Sequence, residues 1–189
     1  MRIILASKSP RRRDILEMMG VKDFEVIPSS AREPDCGDMP PGEAVKAIAS
    51  AKLAACPDYG PDALVIAADT LVFCGSEHFG KPVDAQDARR MLRALSGRGH
   101  SVYSGVAVKY GGRTLCRFEK TDVYFRELSS AEIEAYIASG EPFDKAGAYA
   151  AQGRAAAFVE RIDGDFWNVV GLPGCALLQM CRSLGANIL

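Results

Sequence analysis

The feature that most narrows the fold is a six-residue apolar run, Ala-Leu-Val-Ile-Ala-Ala at 63–68, ended abruptly by Asp69 and Thr70. A strand with one wet face alternates apolar and polar residues. This run does not, so both of its faces must be covered, as happens when helices flank a partly parallel sheet. It is too short for an independent helix and far short of the ~20 residues that span a bilayer.

The rest of the chain reads as the layers such a strand requires. Residues 2–6 form a second short apolar strand, and 11–19 carry Ile15, Leu16 and Met19 at helical spacing before Gly20. A strand over 24–28, an Ala-rich helix over 43–56 and a helix opened by Asp84, with Ala88, Met91, Leu92 and Leu95 as its apolar stripe, follow. Strands at 100–110 and 114–126 flank Gly111-Gly112, a hairpin signal. Ser130 is expected to cap a helix to Ser139, 155–162 is strand-like, and a helix runs from Leu172 onward. The expectation is an α/β fold in a single domain over 1–189, with a mixed β-sheet and flanking helices.

Composition excludes several functions. With 23 Lys plus Arg against 24 Asp plus Glu, the net charge is -1, so a general nucleic-acid binder is disfavoured. No two of the six cysteines are spaced C-x-x-C and only His78 and His100 are present, so zinc-ligand spacing is absent. The N-terminal apolar stretch is too short for a signal peptide, and no membrane segment is expected, which points to the cytoplasm with reduced thiols. His100 lacks triad spacing and reads as structural.

Chemistry concentrates in four stretches. In Leu5-Ala-Ser-Lys-Ser-Pro-Arg-Arg-Arg13, Ser9 is suited to the N-cap and Pro10 to the first helical position. Three arginines then fall in the first turn, where each opposes the helix dipole by roughly 0.3–1 kcal/mol. Free N–H groups plus these cations make a phosphate cradle; read alone, the stretch is also a solvated basic face. Asp69, expected at the end of the buried strand, sits where α/β sheets bind ligands and can hold a cation or activate water.

Gly75-Ser-Glu-His-Phe-Gly-Lys81-Pro82 nearly matches a P-loop, but Pro82 replaces the metal-binding hydroxyl and removes an N–H, so a P-loop is rejected. Lys81 remains a phosphate candidate. Residues 139–153 are rich in small residues that let a ligand approach, with Asp144, Lys145, Tyr149 and Gln152 as the functional side chains. Glu33 is a candidate metal ligand, and Lys52 a candidate phosphate partner.

The ordered blocks Leu5-Ala-Ser-Lys-Ser-Pro-Arg-Arg, Ala68-Asp-Thr, Gly80-Lys-Pro, Leu95-Ser-Gly-Arg, Asp144-Lys-Ala-Gly-Ala-Tyr, Gln152-Gly and Asn168-Val-Val-Gly-Leu-Pro resemble the Maf family across nearly the whole chain. The resemblance implies a nucleoside triphosphate pyrophosphatase of the dTTP/UTP subgroup, with magnesium or manganese as cofactor. It implies two lobes around a central cleft, similar to inosine triphosphatase-like enzymes, and a homodimer. It assigns proton acceptance to Asp69 and a metal position to Glu33. Ser7, Arg11, Lys52, Lys81 and Lys145 match phosphate-facing positions, with Lys52 and Lys81 grouped beside Asp69 as catalytic. Arg12, Thr70 and Gln152 match positions that separate the subgroup from 7-methyl-GTP pyrophosphatases. Ala150-Ala151, Asp165-Phe-Trp and Ser104 depart from the family's usual residues. The alternatives are the same chemistry on a modified purine, and a nucleotide-binding regulator of cell division without turnover.

Overall fold

The computed structural model describes residues 1–189. In chain order the elements are β1 (Arg2–Leu5), α1 (Pro10–Met18), β2 (Phe24–Val26), α2 (Pro41–Ala54), β3 (Ala63–Cys74), β4 (Glu77–Phe79) and α3 (Ala85–Leu95). There follow β5 (Gly99–Tyr110), β6 (Arg113–Phe125), α4 (Ser130–Ala138), three short 3-10 turns, β7 (Val159–Asp163), α5 (Phe166–Val170) and α6 (Gly174–Leu184). One seven-stranded sheet has the order β2-β1-β3-β5-β6-β7, with β4 also paired to β3. β1 is parallel to β2 and β3, while β4 and β7 are antiparallel to their partners. The expected mixed α/β sheet with flanking helices is what forms.

The chain divides into two compact units. The first comprises Met1–Asp69, Ser104–Glu119 and Gly171–Leu189. Its β3 residues Leu64, Ile66, Ala67 and Ala68 are fully buried, so both strand faces are covered, as the apolar run required. On one face Ala49 and Leu53 of α2 pack with Ile4, Ala6, Val65, Ala67 and Ala107. Gly105 makes that packing possible: a Cβ there would come within 2.4 Å of the Val45 carbonyl oxygen, so only glycine lets the α2 backbone settle on β5.

The second unit comprises Thr70–Tyr103 and Lys120–Val170. Its core joins Val72 and Phe79 to the α3 stripe Ala88, Met91, Leu92 and Leu95, and to Phe125, Ile133, Tyr149 and Phe158. α3 is capped by Asp84, whose carboxylate accepts the Asp87 N–H at 2.8 Å.

Four local expectations change. The strand at Ala63 continues through Asp69 to Cys74, because Thr-Leu-Val-Phe is itself strand-forming and Val72, Phe73 and Cys74 pair with β4. Residues Arg154–Ala157 form a 3-10 turn rather than strand, since a run of alanines has little β preference; β7 begins only at Val159. The cap of α4 is Ser129, one residue earlier than expected, because Ser129 and Glu132 satisfy each other's backbone in a capping box. The short helix α5, with Asp165 accepting the Trp167 N–H at 2.8 Å, lies where no helix was expected.

Candidate active site

In the first unit β1 delivers Ser7, which is buried, and α1 starts three residues later. Ser9 is extended as an N-cap should be, yet its side chain caps nothing. Ser7 instead fastens the turn before the helix to Arg12: its Oγ accepts the Ser9 N–H at 3.2 Å and Arg12 Nη1–H at 3.1 Å. Arg12 also donates from Nε to the carbonyl of Gly171 at 2.8 Å. Burial pushes the Arg12 pKa down from its ordinary value, and neighbouring Arg11 adds to this, while the charges of Asp69 and Glu33 pull it back up. Arginine remains cationic under such a load. The first turn holds no acidic residue.

Asp69 lies within β3 rather than beyond its end, which corrects the expected placement. Its carboxylate is held by Lys52, with Nζ to Oδ1 at 2.5 Å, and the same ammonium lies 2.8 Å from Glu33 Oε1. Lys52 is presented by α2 seven residues beyond Val45, two helical turns along the face that Gly105 admits to the sheet. The Asp69 side chain is 14% exposed and Glu33 60%, so the two carboxylates differ in access to water although they share one cation. Lys52, expected as a phosphate partner, is engaged here by both carboxylates.

Cys36 lies in the same electrostatic field. Burial first, then Asp35, Asp69 and Glu33, raise its thiol pKa, so it is no activated nucleophile. All six cysteines are free thiols. His100 is buried as a structural residue, with Nε2 2.8 Å from the Tyr149 hydroxyl.

The second unit carries Thr70, Lys81, Lys145 and Gln152. Thr70 follows Asp69 on β3 and is half-buried. Lys81 is exposed in the loop between β4 and α3, so the near-P-loop has no helix start to cradle a phosphate. That loop is tied to the 139–153 stretch, because Gly80 O accepts the Gly147 N–H at 3.0 Å. Gly147 sits at φ +72°, and a Cβ there would meet Val72 at 3.0 Å. Lys145 donates to the Glu141 carbonyl at 3.0 Å and pairs with Asp144. Gln152 is exposed.

The structure therefore joins Ser7 to Arg12, and Lys52 to Glu33 and Asp69. It separately links the loops of Lys81 and Lys145. Sequence reading missed Gly171 as a partner of Arg12, and Glu141 and Tyr136 as partners of the small-residue stretch; no local signal marks a contact made across 159 residues.

Two carboxylates on one ammonium are hard oxygen donors, and no group of three or more His, Cys, Asp or Glu side chains could enclose a metal. That set fits magnesium-like ions, which bind through one or two carboxylates and complete their shell with water and phosphate oxygens.

The Maf-like protein family model matches residues 2–184. The chain belongs to the Maf family. Among Maf relatives, a dTTP/UTP pyrophosphatase of Pelotomaculum thermopropionicum is 46% identical, covering 99% of this chain and 98% of its own. One of Bacillus cereus is 42% identical over 99% and 97%, and one of Chromobacterium violaceum 49% identical over 91% and 89%. A solved HAM1 protein from Coxiella burnetii covers 98% of both chains at 15% identity and a TM-score of 0.49, a distant likeness.

Proposed function

We propose that this Maf protein hydrolyses nucleoside triphosphates, dTTP and UTP foremost, to the monophosphate and pyrophosphate, clearing unwanted nucleotides from the pool. The observation that carries the reading is Asp69, a half-buried carboxylate held at 2.5 Å on Lys52 in the unit whose first helix opens with three arginines. A module that only bound phosphates would gain nothing from an anion placed there.

In the reaction, water forms a bond to the α-phosphorus, the bridge to the β-phosphate breaks, and pyrophosphate leaves. Asp69 accepts the proton of the attacking water, and Lys52 holds that carboxylate in place. Arg11, Arg12, Ser7, Lys81 and Lys145 bind the phosphates, the cations balancing charge that grows on the leaving group. Thr70, Gln152 and Arg12 select the base. Glu33 and Asp69 would hold magnesium or manganese, which supplies further neutralisation of the phosphate charge. We assign the chain to one Maf domain acting as a cytoplasmic homodimer, a reading that rests on the family resemblance.

The test is pyrophosphate release from a panel of canonical and modified triphosphates, with magnesium, manganese or chelator. Metal-dependent release strongest on dTTP and UTP is expected. Preference for a modified purine such as 7-methyl-GTP would overturn the subgroup and keep the hydrolysis. Nucleotide binding without release would overturn the enzyme.

A further inference from the structure

The stretch that carries Gln152 is held by two residues outside every assigned role. Tyr136, on α4 and only 3% exposed, donates its hydroxyl proton to Glu141 Oε1 at 2.8 Å and accepts the Ala150 N–H at 3.1 Å. Glu141 Oε1 and Oε2 accept the Arg154 N–H at 3.0 and 3.2 Å. The Glu141 carbonyl accepts from Lys145 Nζ at 3.0 Å. The backbone amides two residues before and two residues after Gln152 are thus fastened to one Tyr136–Glu141 relay.

Two further observations tie the relay to Gln152 rather than to the core at large. Residues 147–151 are buried and Gln152 is exposed, so the clamp lifts one functional side chain out of a segment that is otherwise packed away. Gly153, next to Gln152, lies directly against the relay: a Cβ there would come within 2.3 Å of Glu141 Oε1. A carboxylate suits the position because its oxygens can accept both a hydroxyl and an amide proton.

We propose that Tyr136 and Glu141 are positioning residues for base recognition, setting the height and direction of Gln152 and steadying Lys145. This rests on the reading above that Gln152 selects the base. Neither residue touches the nucleotide; both act through the backbone that presents Gln152.

The experiment compares kcat/KM for UTP with kcat/KM for a purine triphosphate in Gln152→Ala, Tyr136→Phe, Glu141→Ala and Glu141→Gln, and in the doubles with Gln152→Ala. The ratio does not depend on how much of a preparation is folded, so a merely structural role leaves it unmoved. Tyr136→Phe and Glu141→Ala are expected to lower the ratio about tenfold, the size of one lost hydrogen bond to the base. The loss should fall mainly on KM for UTP. Glu141→Gln should recover most of the ratio, because its amide oxygen can still accept from Tyr136 and Arg154. In the Gln152→Ala background neither change should lower the ratio further. A ratio that falls in Gln152→Ala but holds in Tyr136→Phe and Glu141→Ala would overturn the positioning role alone. A ratio indifferent to Gln152→Ala would overturn Gln152 as base selector, and the positioning role with it.

Discussion

Helix α4 opens with a reciprocal capping box between Ser129 and Glu132, whereas α1 opens on Pro10 and three arginines with no capping side chain and no acid in its first turn. In α4 every local preference agrees: Glu132 lies at the positive end of the helix dipole, and Arg126 with the Ser129 bonds holds its pKa down at about 2. In α1 the dipole and three cations oppose one another. Such a local conflict persists in proteins where the same charges are needed for a ligand, the role proposed above for Arg11 and Arg12 towards phosphate. The two units repeat the contrast in their polar side chains. The first holds Lys52 between Asp69 and Glu33; the second buries His100 in neutral form against Tyr149.

If the retained charges serve chemistry, Asp69→Asn should show the largest effect. Its amide cannot take a proton, so kcat should fall about 10²–10⁴-fold, as pyrophosphate release would record. Unchanged turnover would break the contrast, leaving the first unit's ion cluster as stabilising as the second unit's core.

The neutral side of the comparison is tested by acid. Burial lowers the His100 pKa from 6.5 to about 4, the Asp122 charge opposing only in part. The folded state therefore disfavours the proton. The contribution is intact above pH 6.5 and is lost as pH falls from about 6.5 towards 4, by roughly 3 kcal/mol in all. Denaturant melts at pH 7 and pH 4.5 should show that loss, and His100→Phe should flatten it. Equal loss in the variant would mean that other groups govern acid sensitivity.

Arg11→Glu sharpens the comparison of the two helix starts in both directions at once. It gives α1 the acidic first turn that α4 has, so stability should rise by about 0.3–1 kcal/mol. Meanwhile kcat/KM should fall about tenfold or more as a phosphate contact turns repulsive. A stability gain with activity intact would remove Arg11 from the site. The smallest effect is expected at α4: Ser129→Ala should cost about 1 kcal/mol in stability by breaking the capping box, with kcat/KM unmoved.

Much of this was legible locally. The unbroken apolar run before Asp69 predicted covered strand faces, and the stripe on α3 and the Gly111-Gly112 turn located their elements to within a residue or two. The misses were also local in cause. Asp69 looked like a strand end because polar residues usually end buried strands, yet Val72, Phe73 and Cys74 after it carry the pairing with β4. Ser9 had the right residue type for a cap, but Ser7, nearer the end of β1, captured both the Ser9 amide and the guanidinium of Arg12.

The chain's own sequence determined its family, through many short blocks in a fixed order, and its local elements, because helix and strand periods are written over a few residues. It also named the charged groups. Which of those groups meet was decided only by tertiary structure. Lys52 reaches Asp69 because Gly105 admits α2 to the sheet, Arg12 reaches Gly171 across 159 residues, and Gln152 stands clear because Tyr136 and Glu141 grip the backbone on either side of it. The Arg12–Gly171 contact and the seating of α2 on Gly105 follow from closure of the whole chain on its core, and no spacing within a short segment encodes them.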